Sequence, residues 1–491
     1  MRQDQILPIK DKVTRTLSKL SSNLDKYSAE RWITRGKRQA LDVFHEASKR
    51  VPAYKDFLKK KGIAPQKITT FENLTKVPLT DKENYIMQYS LEQLSWDGKL
   101  NRASVINSSS GTTGKSLYWP CGENEILNGA YIHEYLFKNY YDITNNSTLV
   151  IVCFGMGTWV AGTYTLLSTY LASRKLNNLS VVTPGFDKAE VLRILFDLAT
   201  KYDQVLIIGY PTFVKDVLED YRNRGPKLNM KYIFAGEGYS ESWRDYLMTI
   251  ANAKPKSSRA MGILGSADAA IMGFETDSSI RLRQSVSENK SLAKCLFGEE
   301  RVPFICNYIP EHRYFEEVDK ELVFTANRAI PLIRYNIHDY GGTLNVGALE
   351  NLLKQSGVNY SSDHRLPLVY VYGRGRFTAT IFAANIYPEN VRDALLDRTI
   401  RRVVTGGFSL KTKYDKRHNQ YLLLTVELVQ GTMKSSDHKR NIADAFVRHV
   451  RKVNSEYNRV YREYGRRVRP KVELIESEHK SDNKTKVKKS S

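Results

Sequence analysis

The ten residues from Asn107 to Ser116, NSSSGTTGKS, gather hydroxyl side chains (Ser108, Ser109, Ser110, Thr112, Thr113), two glycines (Gly111, Gly114) and Lys115 into one short stretch. Glycines let backbone N–H groups approach an anion, hydroxyls donate to its oxygens, and the lysine adds charge, so the composition is that of a phosphate cradle. It is not a Walker A loop. That motif, G-x-x-x-x-G-K-[ST], would end here on Gly114, Lys115 and Ser116 and needs glycine at position 109, where the chain has Ser109. A polar surface turn draws on the same residue types, so the surrounding elements must decide.

Those elements read as a layered frame. STLVIVCF, LSVVTPG and DQVLIIGYP are short β-branched runs separated by helical patterns such as DKAEVLRILFDLATKY, and KYIFAGEG ends another such run on glycines. The alternation predicts an α/β fold with largely parallel strands, in which ligands collect at the carboxyl ends of the strands. Residues 30–61 read as helical. After Thr343 the alternation weakens, KQSGVNYSSDHRLP forms a polar connector, and a second compact region starts near Tyr372 with the β-like YLLLTVELV. The segment HKRNIADAFVRHVRKVNSEYNRVYREYGRRVRP reads as a long basic helix whose Ile442, Phe446, Val450 and Val453 recur at spacings of three to four.

Length and composition narrow the classes. At 491 residues the chain calls for two or more domains. No apolar run is long enough for a membrane span, and the N-terminus, MRQDQILPIKDK, has no apolar signal core. Cys121, Cys153, Cys295 and Cys306 stand far apart without C-x-x-C spacing, which argues against a disulfide framework and a Cys/His zinc site and fits a cytoplasmic protein. The net charge of +22 fits a nucleic-acid partner, an anionic substrate such as a nucleotide or coenzyme A, or a basic proteome. Its distribution is uneven: positions 431–491 hold 17 Lys or Arg against 8 Asp or Glu. Such a run is either a solvated basic face or a binding patch for polyphosphate or RNA.

Six segments in order resemble the adenylate-forming ligases, in the branch of phenylacetate-CoA ligase and capsule-type ligases. They are RQALDVFHEASKRVPAYKDFLKKKGI with LTKVPLTDKENY, SSSGTTGKS, FGMGTWVAG (154–162), AGEG (235–238), PLIRYNIHD (331–339) and GRGRFTATIFAANIYPENV (373–391). The resemblance implies a large N-terminal multi-sheet adenylation domain over residues 1–371. A smaller, mobile α+β C-terminal domain would cover 372–491. It further implies that a carboxylic acid is activated by ATP as an acyl adenylate and passed to a thiol, with coenzyme A as the first acceptor to consider.

By the same resemblance, Ser108, Ser109, Ser110, Gly111, Thr112, Thr113, Gly114 and Lys115 hold the ATP phosphates. Gly236, Glu237 and Gly238 flank the adenine, Asp339 binds the ribose hydroxyls, and Arg334 orients phosphate or the ribose side. An acceptor-only carboxylate suits two hydroxyl donors. Phe154, Gly157 and Trp159 line the acyl pocket. Lys484 or Lys486 supplies the catalytic lysine that contacts the carboxylate and α-phosphate. The chain departs from the family pattern in two places. LGSAD (264–268) leaves Asp268 as the Mg2+ ligand on a shorter stem than glutamate. Arg376 stands at the hinge in place of an aspartate, and Ala383 replaces the glycine beside the pantetheine path. These departures keep a carrier protein, an amine and a nucleic acid open as acceptors, and also a nucleic-acid-associated protein with degenerate ligase chemistry.

Overall fold

The computed structural model describes residues 24, 27–100, 103–109, 117–251, 259–355, 360–362, 365–374 and 379–476. The chain divides into two compact units with the boundary between Gly375 and Arg376.

In the first unit, the helix Ala29–Arg50 begins at Ser28, whose side chain accepts from the Arg31 N–H, and buries Trp32, Ala40, Val43, Phe44 and Ala47 along one stripe. The helical region expected over 30–61 breaks at Val51. The residue before a proline is pushed out of the helical region, and Pro52 then opens a second helix, Pro52–Lys60. Strands β1 (Val105–Ser109) and β2 (Leu117–Cys121) pair as an antiparallel hairpin.

Eleven further strands form one sheet: β3 (Thr148–Cys153), β4 (Leu179–Val182), β5 (Gln204–Gly209), β6 (Met230–Ala235), β7 (Ala260–Ser266), β8 (Ala270–Phe274), β9 (Phe304–Asn307), β10 (Tyr314–Val318), β11 (Glu321–Ala326), β12 (Leu332–Leu344) and β13 (Leu368–Arg374). Their order is β10-β11-β12-β13-β9-β8-β7-β6-β5-β3-β4. Only the run β4-β3-β5-β6-β7 is parallel, and every pair from β7/β8 to β10/β11 is antiparallel. The largely parallel sheet expected from the sequence thus covers five of the eleven strands. Each parallel strand is reached by a helix-bearing crossover, whereas β7 to β8 and β10 to β12 are joined by turns too short to carry one; helices also intervene in the antiparallel connections β8 to β9 and β12 to β13. Strands β3 and β5 are buried at every position, which accounts for their unbroken apolar runs.

In the second unit, β14 (Ala379–Ile381) and β15 (Ala384–Ile386) make a hairpin, and β16 (Val404–Tyr414), β17 (Gln420–Leu428) and β18 (Lys471–Glu476) form a three-stranded sheet. Alternate residues of β17 are buried, and Leu422, Leu424, Val426 and Leu428 pack with Ile442, Phe446, Val450 and Tyr457. The long basic helix expected from the sequence is two helices, Ser436–Val453 and Ser455–Tyr464. Asn454 leaves helical geometry between them, and its side chain accepts from the Tyr457 N–H 2.9 Å away, capping the second helix. Part of the basic surface is paired within the unit, as in Arg440 with Asp437, Arg448 with Asp397 and Arg469 with Asp444. Ala383 has φ 63°, so the turn between β14 and β15 takes a left-handed conformation at a residue other than glycine. No described helix is long and apolar enough to cross a membrane.

Candidate active site

Parallel pairing sets the carboxyl ends of β3, β5, β6 and β7 side by side, with registers Cys153↔Gly209, Gly209↔Phe234 and Ala235↔Ile263. The turns that follow these strands carry Phe154, Tyr210, Gly236 and Asp268. Phe154 is buried and meets the Tyr210 ring edge-on at 4.8 Å. Phe186 stacks on the same ring at 5.0 Å and an interplanar angle of 16°. Gly236 closes against it from the next strand, with φ 84°; a Cβ there would lie 2.5 Å from Tyr210 Cε1. Glycine is required at this position both for its conformation and for the space. One ring therefore joins an expected acyl-pocket residue to the expected adenine turn.

That turn is braced on both sides. Glu237 Oε2 accepts from Thr212 Oγ1 at 2.7 Å, which fastens it to the helix Pro211–Tyr221. Beyond Gly238, the Tyr239 hydroxyl donates to Glu275 Oε2 at 3.0 Å, and burial holds this phenol well above its usual pKa, protonated and able to donate. Glu275 also accepts from the Gly262 N–H at 2.6 Å and from Arg244 Nη2 at 2.7 Å. Arg283 and Glu241 complete a buried set of two guanidiniums and two carboxylates, with Arg283 Nη1 3.0 Å from Glu241 Oε1. Charges match in number, and each carboxylate has directed donors, the condition under which buried ions are tolerated.

The hairpin that flanks the hydroxyl-rich stretch is tied to the β3 turn. Ser108 N–H donates to the Thr158 carbonyl at 2.8 Å, and Ser108 Oγ lies 2.9 Å from Thr158 Oγ1, placing Ser108 beside Gly157 and Trp159. Gly157 is exposed with φ 80°, and Trp159 precedes the helix Val160–Leu176. Backbone is described at Ser109. Ser110, Gly111, Thr112, Thr113, Gly114 and Lys115 lie outside the described residues, as do Arg376, Lys484 and Lys486.

Asp268 is buried, 1% exposed. Its Oδ2 accepts from the Tyr335 hydroxyl at 2.8 Å and lies 3.2 Å from Lys82 Nζ. Lys82 also stands 6.0 Å from the ring of Trp119, a residue of β2, so the ammonium links the hairpin to the end of β7. Lys82 is held there from far along the chain: Thr80 Oγ1 donates to the Ile333 carbonyl at 2.9 Å, and the Thr80 backbone bridges Tyr335. The sequence reading did not single out Lys82. Its segment, LTDKENY, was a visible signal, but only the long-range contact reveals where the side chain goes.

Arg334 is buried with its Nε 3.1 Å from Glu316 Oε1, and it donates to the Val77 carbonyl. Its neighbour Tyr335 is the residue that reaches Asp268. Asp339 lies four positions further along β12, half-buried and opposite Arg374 of β13. Among the described residues, no group of three or more His, Cys, Asp or Glu is placed to hold a metal ion.

No protein-family model matches the chain, and no curated protein does. Solved structures do. A structure of 2-hydroxyisobutyryl-CoA ligase with 2-HIB-AMP and CoA, in the thioesterification state, matches at TM-score 0.62 and 17% identity, over 94% of this chain and 90% of that one. The chain has the fold of an adenylate-forming ligase. Two further structures of the same enzyme also match. An open conformation with 2-HIB-AMP and CoA gives TM-score 0.53 at 16% identity, covering 94% of this chain and 92% of that one. A postadenylation state gives 0.53 at 17%, covering 94% and 90%. The α/β architecture of this ligase fold is the class expected from the sequence.

Proposed function

We propose that the chain is an adenylate-forming acid–thiol ligase of the phenylacetate-CoA ligase type. It would use ATP to convert an aryl or small alkyl carboxylic acid into an acyl adenylate and pass the acyl group to coenzyme A. The observation that carries the reading is the convergence at the carboxyl ends of the parallel strands: the β1–β2 hairpin through Lys82, the glycine turn after β6, and Asp268, in a fold shared with a ligase solved with an acyl-AMP and CoA.

In the first step a carboxylate oxygen attacks the α-phosphorus of ATP and pyrophosphate departs. The work is positioning and charge stabilisation. The stretch from Ser108 to Lys115 would hold the phosphates, with Lys82 adding a second cation; Gly236, Glu237 and Gly238 would flank the adenine; Asp339 would clasp the ribose. Arg334 would serve by anchoring the Val77–Thr80 segment, and so Lys82. Lys484, or Lys486, would meet the carboxylate and α-phosphate. Magnesium is commonly held through one or two carboxylates plus phosphate oxygens. Asp268 supplies a single buried carboxylate, which fits an ion that arrives with the nucleotide. In the second step the thiolate sulfur attacks the acyl carbonyl carbon and AMP leaves, with the second unit pivoting near Arg376.

The test is carboxylate-dependent exchange of labelled pyrophosphate into ATP across a panel of aryl and short alkyl acids. Product mass is then read after addition of coenzyme A. Asp339→Ala removes two charge-assisted hydrogen bonds and should lower kcat/KM for ATP at least about 100-fold. Absence of exchange with every acid overturns the proposal. Exchange without a CoA thioester would redirect the transfer step to a carrier protein, an amine or a nucleic acid.

A further inference from the structure

A small cavity of about 20 Å3 lies between the helices Glu123–Asn139 and Val160–Leu176, the start of β8 and the turns at 312 and 327, and none of the roles above uses it. Its walls include Glu125, Tyr164, His312, Arg313 and Arg328. The space admits one water-sized occupant. Arg313 and Arg328 are each only 6% exposed. Glu125 is committed: its Oε1 lies 2.9 Å from Arg328 Nη2, and its Oε2 accepts from the N–H groups of Gly122 (2.6 Å) and Ala329 (3.1 Å). Arg313 donates to the carbonyls of Ala269 and Ile271 and lies over the Phe324 ring, and none of these partners carries a negative charge.

Two guanidiniums therefore face one carboxylate in a buried space. Among the described residues, Arg313 Nε, Arg328 Nη1 and both ring nitrogens of His312 find no hydrogen-bond partner, and the lone acceptor Glu125 Oε1, ion-paired with Arg328, takes no directed hydrogen bond. A buried unpaired charge and buried unmet donors are each costly. Water could accept from the donors but would leave the surplus charge; an anion answers both.

We propose that this cavity binds a small monovalent inorganic anion, of the size of chloride, between Arg313 and Arg328. Burial, and then the adjacent Arg328 charge, push the Arg313 guanidinium down to about 9, which is the sign of a cation lacking a counterion. Burial likewise holds His312 neutral, its pKa pulled down to about 3, so it can offer one N–H without adding charge. Because Arg313 grips the carbonyl of the residue after Asp268, the anion would steady the start of β8 and with it the candidate site.

The test uses the full chain. Sodium chloride is exchanged for sodium gluconate at constant ionic strength while the melting temperature is followed. The expected result is a saturable rise of about 2–5 °C with chloride, absent in Arg313→Gln. A wild-type response that is flat, or unchanged in the variant, overturns the proposal. If Arg313→Gln does not fold, crystals grown in sodium bromide decide: an anomalous peak between Arg313 and Arg328 supports the site, and its absence refutes it.

Discussion

Replacing Gly236 by alanine tests whether the turn after β6 is held as described. The new Cβ would lie 2.5 Å from Tyr210 Cε1 and 2.9 Å from Cδ1, roughly 1 Å inside ordinary contact. The ring has nowhere to swing, because Phe154 meets its edge and Phe186 covers its face. Overpacking of this kind costs about 1–3 kcal/mol. The left-handed backbone at φ 84° adds about 1–2 kcal/mol once a side chain is present. Urea unfolding should therefore show a loss of about 2–5 kcal/mol with an unchanged m-value. Gly238→Ala is the control: a Cβ there meets nothing within 4 Å among the described residues, and its stability should stay within about 0.5 kcal/mol of the parent. Combining Gly236→Ala with Tyr210→Ala removes the clash but leaves the backbone cost, so the double variant should fall short of additivity by about 1–3 kcal/mol. A Gly236→Ala protein as stable as the parent, or a strictly additive pair, would refute the close approach of ring and turn.

Glu275→Ala leaves Arg244 and Arg283 with one carboxylate, Glu241, between them and should cost about 3–5 kcal/mol in chemical unfolding; a loss below about 1 kcal/mol would count against the buried network. His133 is buried and its pKa is lowered to about 4, chiefly by desolvation. The unfolded chain therefore takes up a proton near pH 6.5 that the folded chain refuses until about pH 4, so the stability from this group is present above pH 6.5 and is lost as pH falls towards 4. Between pH 7 and pH 5 the parent should lose about 2 kcal/mol more than His133→Gln, measured by urea unfolding at both values; equal losses would show that His133 is not the titrating group.

The strands β3 and β5 were legible because total burial leaves unbroken apolar runs, and the glycines closing AGEG after β6 mark the turn where Tyr210 later proves to need space. The antiparallel half of the sheet was not legible, since strand direction is set by the length and path of the connection and not by residue type. A single long basic helix was expected because the apolar spacing runs on past Val453, while Asn454 is too small a signal against that periodicity. PLIRYNIHD pointed to the right strand, but a linear string does not say which side chain faces the site. Tyr335 turns to Asp268, while Arg334, its neighbour, is engaged with Glu316. Lys82 was hidden for a related reason: its position depends on a contact with β12 that no local pattern encodes.

The grip of Ile333 on Thr80 spans 253 residues of chain. On a ribosome adding roughly 5–20 residues each second, the early segment waits about 10–50 s for its docking strand to emerge. During that interval Phe44, Tyr54 and Tyr85, all fully enclosed in the finished protein, lack the β10–β12 surface that shares their core. The newborn amino-terminal region thus keeps this apolar surface open until the central strands have been made.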